Sequence, residues 1–164
     1  MSETSPKDFE VPAVSRFLSE RLGDGVERVA FLADGAWSRC FSFSSGGSNL
    51  VVKFGQHVED FEKDKLASDL TRGFLPAPQV IDIGEFQGNH YAISERVFGS
   101  PIDQSDADGW RSALPLLFST LDQMRDVDLS DSRGYGLWGG NGAGSIPPGV
   151  FDTRNAHPRI GRER

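Results

Sequence analysis

The feature that most constrains this chain is a short alternating run that ends in a glycine turn and an apolar return. From Arg39 to Ser44, Phe41 and Phe43 alternate with Cys40, Ser42 and Ser44, the period of a strand with one buried face. Gly46-Gly47-Ser48-Asn49 supplies a hairpin turn, and Leu50-Val51-Val52-Lys53-Phe54 is the returning strand. Two strands joined so tightly are antiparallel.

Other elements gather around that hairpin. Val11, Val14, Phe17, Leu18 and Leu22 recur at helical spacing before Gly23, which predicts a short amphipathic helix. Val26 to Ala33 is a first strand, ending at Asp34-Gly35. Asp60 to Leu70 reads as a helix with Phe61, Leu66, Ala67 and Leu70 on its apolar side. Leu75-Pro76-Ala77-Pro78 stops it, because proline excludes the preceding residue from the helical region. Gln79 to Phe86 and Tyr91 to Val97 are two further strands about the turn Gln87-Gly88-Asn89-His90. The expected fold is therefore α+β: a five-stranded antiparallel sheet with one helix inserted after the third strand.

Beyond Phe98 a linker leads to a second helix near Asp108 to Asp126, with Trp110, Leu114, Leu117, Leu121 and Met124 on one face. Pro115 should kink that helix or mark its start. From Asp128 a glycine-rich loop is expected. From Ser145 to Arg164 prolines and arginines dominate, and this tail is expected to be disordered.

The 164 residues suffice for one ordinary domain and are short for two. A net charge of −7 argues against a nucleic-acid partner, which requires a basic patch. That charge could attract cationic small molecules, or it could simply be a solvated face. Cys40 is the lone cysteine, so no intrachain disulfide forms, which fits a reducing compartment. The polar N-terminus has no apolar leader, and the runs Val29 to Ala33 and Leu114 to Phe118 are too short to span a bilayer. A cytoplasmic protein without a membrane segment is expected.

A nucleoside triphosphate needs backbone N–H groups, a cation and a dry wall for the base. The turn carrying Gly35 and Ser38 could set N–H groups and a hydroxyl over the phosphates, although by itself it reads first as an ordinary hairpin turn. Lys53 follows three apolar residues on a strand committed to burial, where an unpaired lysine is costly. It either meets phosphates or guards an edge strand against aggregation. Glu62 and Asp64 could each hold it, but they lie two positions apart, so only one can face inward; Glu62 is favoured, with Asp64 as its substitute. The same Glu-Lys-Asp-Lys run is also ordinary for a solvated helix face. Ser94-Glu95-Arg96 ends the fifth strand, where exposed backbone could meet the edge of a base. His57, His90 and His157 lack metal-ligand spacing, and Cys40 reads as a small core residue. No Gly-x-Ser-x-Gly elbow and no Walker A motif occurs.

The order of loop, lysine strand, acidic helix, Leu-Pro-x-Pro, strand pair and hinge resembles the aminoglycoside phosphotransferase family, most of all its hygromycin B phosphotransferases. The resemblance rests on Gly35-Ala36-Trp37-Ser38-Arg39-Cys40-Phe41-Ser42-Phe43, Leu75-Pro76-Ala77-Pro78 and Ile81-Asp82-Ile83-Gly84-Glu85-Phe86. Ala92-Ile93-Ser94, Asp128-Leu129-Ser130 and Gly134-Tyr135-Gly136 add to it. It implies a protein-kinase-like N-lobe, and ATP-dependent O-phosphorylation of an aminoglycoside hydroxyl. It also implies phosphate contact at Lys53, a Glu62 partner for that lysine, and adenine against the backbone of Ser94, Glu95 and Arg96. Mg²⁺ belongs to the full-length family. The family's catalytic aspartate, its asparagine and its metal-binding aspartate have no counterparts here, so this chain is expected to hold no catalytic residue and no metal ligand.

The expected organisation is a helix and lead-in over 1–25, the kinase-like N-lobe over 26–97, and a linker with the first helix of a missing C-lobe over 98–144. Over 145–164 a disordered tail is expected: either the gene is truncated, or a frameshift makes these last residues foreign. Two functions fit. One is the inactive N-lobe of a truncated phosphotransferase. The other is a non-catalytic nucleotide-binding or interaction module completed by a separate C-lobe chain. A third reading is an unrelated small β-rich domain whose lysine is structural.

Overall fold

The alternating run becomes a strand, and its hairpin partner becomes the middle of a sheet. The computed structural model describes residues 5–130, 133 and 135–146. The strands β1 (Val26–Asp34), β2 (Ser38–Ser45), β3 (Ser48–Gly55), β4 (Val80–Phe86) and β5 (Asn89–Glu95) pair in the order β1-β2-β3-β5-β4. Every neighbouring pair is antiparallel. Gly46 and Gly47 adopt φ of 58° and 82° in the β2–β3 turn, a region that residues bearing a β-carbon rarely occupy. A helix, α2 (Val58–Leu70), is inserted between the third and fourth strands as the sequence predicts.

Alternation sorts the side chains onto two faces. Phe41, Phe43, Leu50, Val52, Phe54, Tyr91 and Ile93 lie in one buried cluster with Val14, Phe17 and Leu18 of α1 (Val11–Leu22). The Phe17 ring sits 4.3 Å from Phe86, 4.8 Å from Tyr91 and 5.8 Å from Phe54. α1 is thus part of the sheet's core. Its end is tied down by Arg21, which donates to both oxygens of Asp82 at 2.9 Å, while the Tyr91 hydroxyl donates to Asp82 Oδ2 at 2.9 Å.

The opposite face carries Cys40, Ser42, Val51, Lys53, Ala92 and Ser94. α2 covers one end of it, where Phe61 packs with Val80, Ala92 and the half-buried Ile83. β3 is the central strand, which rules out the reading of Lys53 as an edge-strand guard.

Several boundaries differ from expectation. β5 stops at Glu95, so Arg96 and Val97 lie beyond the strand, and His90 sits on it rather than in the turn. The second helix, α3 (Ala107–Arg125), runs through Pro115, which therefore does not mark its start. Asp106 caps it instead, accepting from the Gly109 amide at 2.8 Å. The expected glycine-rich loop contains a hairpin of β6 (Tyr135–Trp138) and β7 (Gly144–Ile146). Ser145 and Ile146, assigned to the tail, are thus strand residues; the rest of that tail lies outside the described residues. Among the described residues no helix is long and apolar enough to cross a membrane.

Candidate functional site

The sheet register sets out the open face in rows. Ser42, Val51 and Ser94 stand side by side, as do Cys40, Lys53 and Ala92, and then Ser38, Gly55 and His90. Lys53 occupies the middle row. Its Nζ lies 4.0 Å from Asp64 Oδ2 and 5.6 Å from the centre of the Phe61 ring. With 41% of its side chain exposed, the ammonium stays hydrated at the mouth of a cleft, and a modest partner is enough to hold it.

Of the two candidate acids the structure brings Asp64 to Lys53, which corrects the preference for Glu62. The reason is helical geometry. Phe61 is buried beneath the sheet, and Asp64 follows it by three residues, on the same side of the helix. Glu62 is one residue on from Phe61, about 100° around the axis, and faces the β6–β7 hairpin instead. A β-carbon at Gly140 would collide with the Glu62 side chain. Burial of Phe61 was the sequence signal that could have selected Asp64.

Ser38 opens β2 and shares with Lys53 a cavity of about 140 Å³, lined also by Trp37, Gly55, Asp60 and Phe61. Gly35 closes the preceding turn, its amide donating to the Ser38 carbonyl at 2.8 Å. A β-carbon there would stand 2.8 Å from Ser38 Oγ. The structure therefore brings Gly35, Ser38 and Lys53 to one end of the face.

The hinge residues are differently placed. Ser94 lies within the sheet between Val51 and Val80. The Glu95 amide donates to Gln79 O and the Arg96 amide to Asn49 O, both at 3.0 Å. Glu95 Oε2 accepts from the Gln79 amide at 3.1 Å, and the Arg96 guanidinium stacks 4.6 Å from the Phe98 ring. The N–H groups expected to be free at Glu95 and Arg96 are thus spent on closing the sheet's end. Val97 and Phe98, exposed by 69% and 65%, come next.

Cys40 faces Lys53 across the strands. Burial pushes its thiol pKa up, although the lysine pulls the other way, so it is poorly suited to nucleophilic chemistry. A larger cavity of about 340 Å³ lies between α2 and the β6–β7 hairpin, lined by Glu62, Lys65, Leu66, Asp69, Gly140 and Asn141 among others. Its lining cation, Lys65, is already paired with Asp69 at 3.0 Å, whereas the smaller cavity holds Lys53. Among the described residues no group of three or more His, Cys, Asp or Glu is arranged to hold a metal ion.

No protein-family model matches the chain. Over 139 residues it is 32% identical to the hygromycin-B 4-O-kinase of Escherichia coli, covering 84% of this chain and 40% of that protein. The crystal structure of aminoglycoside phosphotransferase APH(4)-Ia aligns with a TM-score of 0.77 at 30% identity, over 84% of this chain and 47% of that one. In sequence and fold, the chain matches the N-terminal part of the aminoglycoside phosphotransferase family. A thermostable mutant of APH(4)-Ia, solved as a ternary complex with AMP-PNP and hygromycin B, aligns with a TM-score of 0.75 at 32% identity over 82% of this chain. The five-stranded sheet and its helices match the kinase-like N-lobe of APH(4)-Ia. The chain spans less than half the length of these aminoglycoside phosphotransferases.

Proposed function

We propose that this chain is the nucleotide-holding lobe of an ATP-dependent phosphotransferase whose acceptor is the hydroxyl of a hygromycin-like aminoglycoside. The observation that carries this reading is Lys53 on the central strand, steadied by Asp64 and Phe61 at the edge of a face free of large side chains. Similar structures hold AMP-PNP or ADP together with hygromycin B, which supports the same ligands here.

ATP, when bound, supplies the phosphoryl group; this chain binds and orients it. Lys53 neutralises the phosphates, and Asp64 fixes the direction of the ammonium. Gly35 and Ser38 bound the phosphate end, and Ser94 with Val51 walls the base end. Because the Glu95 and Arg96 amides are already engaged, backbone donation to a base edge falls to Val97 and beyond. Glu62 braces the β6–β7 hairpin.

Residues 1–164 contain no His-x-Asp-x-x-x-x-Asn stretch, so the lobe by itself binds without transferring. A general base alone is worth about 10²–10⁴-fold in rate. Mg²⁺ belongs to the full-length family, and no step is assigned to it here. With a lone, half-buried thiol, the protein belongs in the reducing cytoplasm.

One observation favours a second reading, a non-catalytic module that docks another protein. α3 has no buried residue, and Leu116, Phe118 and Leu121 are exposed by 69%, 60% and 49%, an apolar surface of the kind that marks interaction sites.

Calorimetric titration with AMP-PNP tests the main reading. Saturable binding that weakens about tenfold or more in Lys53→Ala is the expected result, with no phosphorylation of hygromycin B by the pure chain. Absence of AMP-PNP binding overturns the nucleotide site, and measurable phosphorylation overturns the claim of inactivity.

A further inference from the structure

The sheet register also serves as a ruler, and it reaches a residue the nucleotide reading leaves unused. From the row of Ser94 and Val51 to that of Lys53, and on to that of Ser38 and Gly55, each step is two residues, about 7 Å. The three rows span the length of an extended nucleoside triphosphate, with the base at the Ser94 end and the last phosphate at Ser38. Trp37 is the next residue, beyond that last phosphate. An acceptor hydroxyl must come in line with the transferred phosphoryl group from this side.

Single exposed apolar residues are ordinary, and the place of Trp37 gives its exposure meaning. Its side chain is 77% exposed, the most of any large apolar residue among the described ones. Among the described residues no ring stacks on the indole and no hydrogen bond uses its N–H. Its backbone, in contrast, is fixed: the Gly35–Ser38 hydrogen bond closes the turn, and Ser38 is in register with Gly55. The indole stands on a fixed backbone turn at the rim of the Lys53 cavity. Asp60 lines the same cavity, its side chain 64% exposed and only loosely paired with Lys63 at 3.6 Å.

We propose that Trp37 is an acceptor-side platform: its indole packs on the face of an acceptor sugar ring, while Asp60 faces the acceptor's ammonium groups. This rests on the nucleotide site described under Proposed function. A pyranose ring offers C–H groups to the electron-rich face of an indole, and its amino groups favour a nearby carboxylate. Placed on the acceptor side, Trp37 acts on which acceptor is held more than on nucleotide affinity.

The test uses the 164-residue chain carrying Trp110→Phe and Trp138→Phe, so that Trp37 is the sole indole. Iodide quenching of its fluorescence is measured free, with AMP-PNP, and with AMP-PNP plus hygromycin B. Quenching should be nearly unchanged by AMP-PNP and fall about threefold when hygromycin B is added. In an otherwise unaltered chain, Trp37→Ala should weaken hygromycin B binding about tenfold, well beyond any change in the AMP-PNP Kd, and Trp37→Phe should restore most of the loss. Quenching that is insensitive to hygromycin B overturns the proposal. So does full protection by AMP-PNP alone, which would place the indole on the nucleotide. Both of these results leave the nucleotide site standing, whereas failure to bind AMP-PNP removes the site and the proposal together.

Discussion

The two faces of the central sheet are built by the same strands and differ in what each alternate residue was chosen for. Behind α1, the face is filled with phenylalanine, tyrosine and isoleucine, and the largest side chains there are essentially inaccessible to water. The other face carries cysteine, serine, valine, alanine and one lysine, and is covered only at one end, by Phe61. The first face supplies stability, because apolar burial scales with area. The second gives up that stabilisation and leaves a shallow, lightly polar surface on which a flat ring and a charged tail fit. Within one strand, Phe54 and Lys53 are neighbours with opposite duties.

That comparison breaks most visibly at Phe54. It is fully buried and lies within 4.6 Å of Phe9 and 6.2 Å of Phe41, centre to centre. Phe54→Ala should cost about 3–5 kcal/mol, enough to unfold a domain of this size or bring it to the edge of unfolding. Urea denaturation followed by far-UV circular dichroism measures it. A loss below about 1 kcal/mol would mean that the α1 face is not the core.

Lys53→Ala should do the reverse. Stability should stay within about 0.5 kcal/mol, because the side chain is half-exposed and its ion pair is long. AMP-PNP affinity should fall about tenfold or more, the worth of a charge-assisted contact to phosphate. If Lys53→Ala unfolds the protein and spares binding, the two faces have been assigned the wrong way round.

The acids of α2 sharpen the division further. Asp64→Ala should weaken AMP-PNP binding about threefold, as expected for loss of a solvent-exposed partner. Glu62→Ala should leave the Kd within about twofold, because that side chain faces Gly140. Parallel titrations of the two variants decide it, and a larger effect at Glu62 would restore the original preference.

Much of this architecture was legible in the residues because it repeats. Phe41 and Phe43 against Cys40, Ser42 and Ser44 declare both the strand and its inward face, and Val14, Phe17 and Leu18 declare the helix that covers it. Strand order was less visible. Only pairing β3 with β5 shows that Lys53 is central, since a run such as Leu50 to Phe54 reads alike at an edge or in the middle. The choice of Asp64 needed one further step, from burial of Phe61 to the side of α2 that turns inward. At the hinge, sequence located the end of β5 but not the neighbours that capture the Glu95 and Arg96 amides, Gln79 and Asn49, because such contacts depend on how distant loops meet. The β6–β7 hairpin escaped notice because it lies amid glycines, with too few side chains to show a period of two.

The smallest expected effect lies at the edge of the stabilising face, where Tyr91 joins Asp82 and Arg21. The Arg21 hydrogen bonds, helped by Tyr91, hold the Asp82 carboxyl below its ordinary pKa. A lowered folded-state pKa means stability that is present above the ordinary aspartate range and lost as pH falls through the folded value. Tyr91 runs the other way. Burial first, and then the hydrogen bond to Asp82 and its charge, raise its pKa, so its contribution is present below the ordinary tyrosine range and fades as pH rises through the raised value. Wild-type thermal stability should therefore plateau between the two ranges and fall away outside both. Tyr91→Phe removes the 2.9 Å hydrogen bond while keeping the ring against Phe17, and should cost about 1 kcal/mol on the plateau. The cost should shrink in acid, as Asp82 takes up a proton in both proteins. AMP-PNP binding should not change, because the hydroxyl belongs to the opposite face. Melting curves across pH, with nucleotide titrations at neutrality, check both halves. A pH-independent difference between the proteins would show that the hydroxyl acts through packing alone, and altered nucleotide affinity would show that the two faces are coupled.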